Sequence, residues 1–129
     1  MSPVPDPVRR FIEAAIDSVP ELECLLLLYR FEDHSWTADE LAERLYLSPE
    51  VASAIVTGLK SKRVVTAVND TEVVRYRFKP ETAELRETTI QLEQAYRSHL
   101  MLVTQMIHSK APRAVLEFAR AFRVTKEKK

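Results

Sequence analysis

Few side chains of this 129-residue chain could do covalent or metal chemistry, and their spacing argues against most of it. His34 stands beside Glu32 and Asp33, but no second His or Cys sits at ligand spacing, so a solvated acidic loop is expected there rather than a metal site. His99 and His108 are nine residues apart, about two and a half helical turns, which puts them on opposed faces of one helix. Cys24 is the only cysteine and lies inside the apolar run 22–28, so a buried, inert thiol is expected. Gly58 is the only glycine, which excludes a glycine-rich phosphate loop. With no nucleophile–base arrangement either, the expectation is a non-enzyme with no catalytic residue, no metal and no cofactor. What remains is chemistry of binding. Glu50, Ser53, Ala54, Thr57, Lys60 and Ser61 recur at helical spacing as one small, polar face. Around it lie Arg44, Lys62, Arg63, Arg75, Arg77 and Lys79. Small polar side chains on a helix suit a DNA groove, and cations beside it suit phosphates.

Two short helices and a tight turn must position that face, between Thr37 and Arg63. Thr37 and Glu40 have the spacing of a capping box, and Leu41, Ala42 and Leu45 share a face for burial. Tyr46 and Leu47 make the turn. Ser48 is the next N-cap and Pro49 the first helical residue, where a missing N–H costs nothing. The periodicity predicts Val51, Ala52, Ile55 and Leu59 as the buried stripe of the second helix. Two strand-like runs follow, 64–68 and 73–78, joined by the turn-forming Asn69-Asp70-Thr71-Glu72. In the second, Val74, Tyr76 and Phe78 alternate with Arg75 and Arg77, so both arginines should project from one side.

Upstream, a helix from Asp6 to about Ser18 and an apolar helix from Pro20 to about Phe31 should supply the core, with Trp36 anchoring the polar loop 32–35 that follows them. Downstream, residues 81–109 contain no glycine or proline and predict one continuous helix of roughly 43 Å. Leu85, Leu92, His99 and Met106 recur every seventh residue, and residues 100–107 are apolar on most faces. A second chain is the natural cover for that end. A last short helix is expected from Pro112 to about Arg123, ahead of a basic tail. The charges balance, 19 basic against 19 acidic, so no global attraction to a polyanion or a membrane exists. The chain shows neither a basic-then-apolar N-terminus nor a run long enough to span a bilayer, and the expectation is a cytoplasmic protein with no membrane partner.

The order of helix, helix-turn-helix, wing and long helix resembles the MarR-type winged helix regulators. The local text resembles them too: Leu25–Leu28, T-x-x-E-L-A-E-R-L at 37–45, L-S-P at 47–49, and V-x-x-x-I-x-x-L-x-x-K-x-x-V at 51–64. The resemblance is strongest over residues 20–80. It implies a mostly α protein: a winged helix-turn-helix domain with a two-stranded β-wing and a long C-terminal dimerisation helix. The organisation would be a supporting N-terminal helix (1–19), the winged domain (20–80) and a helical dimerisation region with basic tail (81–129). The implied function is a homodimeric transcriptional regulator of double-stranded DNA. Ser48, Ser53, Ala54, Thr57, Lys60, Lys62, Arg63, Arg75 and Arg77 are the expected DNA-binding residues. Leu85, Leu92, His99, Leu102, Val103, Met106, Phe118 and Phe122 are those expected at the dimer interface. A small-molecule effector between the core and the dimer helices, lined by Tyr29, Trp36 and Tyr96, or a protein partner would fit the family pattern. Members often end the second helix with glycine and carry a basic wing tip. Here Arg63 takes the first place, and Asp70 and Glu72 stand at the tip. Those carboxylates would repel phosphates and favour the alternative, a winged-helix protein–protein adaptor without DNA affinity.

Overall fold

A computed structural model of the chain describes residues 3–69 and 72–110. The elements are α1 (Asp6–Ala15), α2 (Val19–Arg30), α3 (Ala38–Leu45), α4 (Pro49–Ser61), β1 (Val65–Val68), β2 (Arg75–Phe78), α5 (Ala83–Ser98) and α6 (Leu100–His108). The fold class is as expected: mostly helical, with one antiparallel two-stranded sheet.

Local chemistry sets most boundaries. Asp6 lies within α1 rather than capping it and pairs with Arg9 at 3.0 Å, while Val8, Ile12 and Ala15 face the core. Ser18 caps α2 by accepting the Glu21 N–H, and Leu22, Leu25, Leu26 and Leu28 fill the centre of the molecule. The capping box of α3 is complete: the Glu40 N–H donates to Thr37 Oγ1 and the Thr37 N–H to Glu40 Oε1. Ser48 accepts the Val51 N–H to open α4.

The ends of α3 and α4 are made without glycine. Tyr46 (φ 57°) and Arg63 (φ 67°) both take the left-handed conformation. After α4, the Val64 N–H reaches the Leu59 carbonyl and the Arg63 N–H that of Lys60, which is a Schellman closure on an arginine. That is how the turn expected to need another solution near residue 63 is made.

In the wing, Val65 pairs with Phe78, Thr66 with Arg77, Ala67 with Tyr76 and Val68 with Arg75. Val65 and Phe78 enter the core. Trp36 does more than anchor a loop. Its N–H and carbonyl exchange hydrogen bonds with Tyr76 at 2.8 and 2.7 Å, adding a one-residue third strand. Glu72, at the wing tip, is exposed, and Asp70 lies outside the described residues.

Two expectations are corrected. The helix over 81–109 is not continuous: His99 (φ −136°, ψ 54°) separates α5 from α6. The cause is burial. The break lets α6 fold back against α1 and α5, enclosing Val103 and Ile107 completely. Each buried apolar side chain contributes about 1.5–3 kcal/mol, more than an interrupted helix loses in one hydrogen bond. Second, α4 is rotated from the predicted stripe. Ala52, Val56 and Leu59 are enclosed, Ile55 is half-buried, and Val51 is 45 % exposed. The expected helix from Pro112, with Phe118 and Phe122, lies outside the described residues.

Candidate nucleic-acid interface

The exposed face of α4 carries Glu50, Val51, Ser53, Ala54, Thr57, Lys60 and Ser61. Ser53, Ala54 and Thr57 are where the periodicity put them, and the side chains of Ser53 and Thr57 are solvated. Ser61 turns back to donate to the Thr57 carbonyl, and Ser48 is engaged as the helix cap. Behind this face α3 packs against α4, with Leu41 enclosed and Leu45 half-buried against the core.

The nominated cations divide into two groups. Lys60 and Arg77 are exposed and have no ion-pair partner among the described residues; the same holds for Arg44 and Lys79. Lys60, Arg63 and Lys79 line one cleft of about 420 Å³ with Thr66, where the end of α4 meets the wing. Arg63 also lies 3.4 Å from Glu81, an exposed and therefore weak pair. The others are structural. The Lys62 ammonium donates to the Ala15 carbonyl and lies 3.2 Å from both oxygens of Glu21, which is buried. A cation there also suits the carbonyl end of α1. Arg75 shares a strand face with Arg77, but folds back to Ser35 O and Glu40 Oε1, each at 3.3 Å. The Thr37 N–H, chiefly, and then Arg75 hold the Glu40 carboxyl below its ordinary range against some desolvation. That contribution is present above the carboxylate's ordinary pKa and is lost as pH falls through the depressed one. No sequence pattern could assign these partners, because both lie in elements remote along the chain.

The residues expected at a dimer interface also divide. Leu92 and Val103 are enclosed within the single chain, while Leu85, Leu102 and Met106 are half-buried and His99 is exposed. Sequence periodicity missed Leu100 and Met101, which are 52 % and 70 % exposed at the start of α6. They belong to the apolar run 100–107, but only the break at His99 turns them outward. The three aromatic residues named for an effector do not converge on one surface. Tyr29 packs edge-on against Phe78 (5.4 Å) and lines clefts of about 670 and 310 Å³. Trp36 packs against His34 and Phe31 and lines a separate cleft of about 480 Å³ with Glu40, Glu43, Arg44 and Tyr46. Tyr96 donates to Glu23 at 3.2 Å, with its phenol raised by burial first and by that carboxylate second. Cys24 is buried beside Glu21, and burial pushes its thiol up to about 12. Among the described residues no cluster of His, Cys, Asp and Glu could hold a metal ion, and no helix is long and apolar enough to cross a membrane.

No protein-family model matches the sequence, and a comparison with curated proteins finds no match. Solved structures do match. Reduced HlyU of Vibrio cholerae is 21 % identical, with a TM-score of 0.53 over 70 % of this chain and 88 % of that one. MepR of S. aureus in its DNA complex is 14 % identical, with a TM-score of 0.52 over 93 % and 87 %. A homodimeric winged helix-turn-helix DNA-binding domain from Mycobacterium bovis is 21 % identical, with a TM-score of 0.55 over 78 % and 94 %. At these identities the likeness is one of fold, and it agrees with the MarR-type resemblance of residues 20–80: the chain has the winged-helix fold.

Proposed function

We infer that the protein is a homodimeric, cytoplasmic, DNA-binding transcriptional regulator and not an enzyme. The observation that carries this reading is the solvated face of α4, with Ser53, Ala54 and Thr57 exposed, flanked by Lys60, Lys79 and Arg77, which have no ion-pair partner among the described residues. On a winged-helix fold that face enters a major groove while the wing and the helix end hold phosphates. Structural neighbours include a regulator solved on DNA and a homodimeric DNA-binding domain, which supports the reading without assigning it. The dimer would be made through Leu100, Met101 and the half-buried Leu102 and Met106, since such an exposed apolar cluster calls for cover.

One observation favours the adaptor alternative. Lys62 and Arg75 are consumed inside the chain, and Glu50 stands on the reading face. The test is binding of the full chain to a random duplex library at low salt. Binding that weakens with salt, and weakens further in Arg77→Ala and Lys60→Ala, supports the regulator. No retained duplex at any salt concentration leaves the adaptor.

A further inference from the structure

Three cations from different elements converge where α4 ends and the wing returns. Lys60 stands in the last turn of α4, Arg63 in the turn that closes it, and Lys79 just after β2. They line one cleft of about 420 Å³ together with Thr66, which carries a hydroxyl. Backbone bonds bring them there. The Arg63 N–H donates to the Lys60 carbonyl at 3.0 Å, the Lys79 N–H to the Val64 carbonyl at 3.0 Å and the Glu81 N–H to the Arg63 carbonyl at 2.9 Å. A fourth cation borders the group, because Arg77 is the cross-strand partner of Thr66 and leaves the same face of the sheet.

Two observations point to a ligand. The first is an excess of like charge. The cleft is lined by three basic side chains and one acidic one, Glu81, a net of +2. Glu81 lies 3.4 Å from Arg63, and both are well exposed, so the pair is weak. Lys60 and Lys79 have no ion-pair partner among the described residues. Cations held side by side repel one another until an anion enters. The second is Arg63 itself. It sits at φ 67°, a conformation open without strain only to glycine, and its side chain is 69 % exposed, so core packing does not call for an arginine. A strained residue at a cleft, where glycine would relieve the backbone, is a mark of function.

The donor set suits a phosphate. Arg63 offers a planar fork, Lys60 and Lys79 offer point charges, and Thr66 offers a hydroxyl; all are groups that hold phosphate oxygens. The volume leaves room for the sugar or other group that bears the phosphate. We propose that this cleft is a binding site for one phosphate group, with Lys60, Arg63, Lys79 and Thr66 as its contacts and Glu81 as the carboxylate that gives way to it. The phosphate comes either from a duplex backbone or from a phosphate-bearing small molecule. The first source rests on the DNA-binding reading; the site itself does not.

The probe is inorganic phosphate, titrated into the isotope-labelled full-length protein at constant ionic strength, with acetate titrated in parallel and amide shifts as the readout. The expected result is saturating shifts confined to the cleft, with acetate much weaker. The double variant Lys60→Gln, Lys79→Gln, which alters only exposed side chains, should lose saturation. Glu81→Gln should tighten phosphate by about 2–5-fold, the worth of one exposed pair. Arg63→Gly should weaken phosphate binding while raising the melting temperature, a split that a purely structural arginine would not show. Shifts that rise linearly with phosphate, match those of acetate or persist in the double variant would overturn the proposal. Methylphosphonate substitution, which neutralises one backbone phosphate at a time, then separates the sources on a selected duplex. A loss of affinity at one position per half-site, absent in the double variant, upholds the site and makes the duplex its source. Saturable phosphate binding with no such position upholds the site with a small molecule as the source. Saturable phosphate binding with no duplex retained upholds the site and overturns the regulator reading alone.

Discussion

The orientation of α4 decides which of its residues belong to the fold and which to a ligand, and two valines separate the alternatives. Val56 is fully enclosed. Val56→Ala removes two methyl groups at about 0.8 kcal/mol each and leaves a cavity that the neighbours fill only in part. Alanine returns about 0.5 kcal/mol in helix propensity. The net cost should be about 2 kcal/mol. Val51 is nearly half in water, so the same substitution there loses about half the transfer energy and regains the same propensity, for a net change within about 0.5 kcal/mol of zero. Urea unfolding of both variants, with m-values checked against wild type, reads the difference as a shift in midpoint. A Val51→Ala variant destabilised as much as Val56→Ala would mean that the stripe predicted from the sequence is buried after all, and the reading face with it would be misplaced.

Lys62→Met should destabilise by about 1–3 kcal/mol, less than a fully buried pair, because Lys62 is partly solvated and Glu21 keeps the Asp17 N–H at 2.9 Å; a melting curve that does not move would show the contact to be energetically idle. Arg63→Gly should raise stability by up to about 1 kcal/mol, since the left-handed conformation is freely open only to glycine; calorimetry showing a loss would mean that the exposed pair with Glu81 outweighs backbone strain. Cys24 should resist a thiol reagent in the native protein at about pH 8 and react once unfolded in urea. Its raised pKa also fixes a sign: the stability of the neutral thiol is complete below the ordinary value of about 8.5 and declines as pH rises toward 12, so the stability gap between wild type and Cys24→Ala should shrink across that range. Met101→Glu should convert a dimer to a folded monomer in sedimentation, because Met101 is 70 % exposed within one chain and its replacement disturbs no core.

Much of the winged domain was legible because its signals are local. Thr37 with Glu40, and Ser48 with Pro49, are spaced by backbone geometry, and both caps form as the spacing implies. The alternation in 73–78 led to the wing because Phe78 could face only the core. The long C-terminal helix was misread because nothing local marks its break. No glycine or proline stands at 99, and the break follows from the apolar side of α1, which no window of sequence around His99 contains. The rotation of α4 failed for a related reason: Val51, Ala52, Ile55, Val56 and Leu59 support two overlapping stripes, and only the positions of α2, α3 and β1 choose between them.

The same limit governs the cations, and there it bears on mechanism. Counting charges over 37–79 gives seven basic residues against six acidic ones, which reads as a surface with little to hold a polyanion. The structure changes the account unevenly. Lys62 is spent on Glu21 and the end of α1, Arg75 on Glu40, and Arg63 partly on Glu81. Among the described residues, Lys60 and Lys79 near the end of α4, Arg77 on the wing and Arg44 on α3 have no ion-pair partner. So few cations per chain give a modest electrostatic attraction, because each phosphate neutralised adds about 0.9 to the slope of log affinity against log salt. A protein so placed gains little from sequence-independent binding. On the proposed DNA-binding reading, discrimination among duplexes then falls mainly to what the face of α4 touches, and that face carries Glu50, Ser53, Ala54, Thr57 and Lys60. A shallow salt dependence of duplex binding is the outcome expected on that reading.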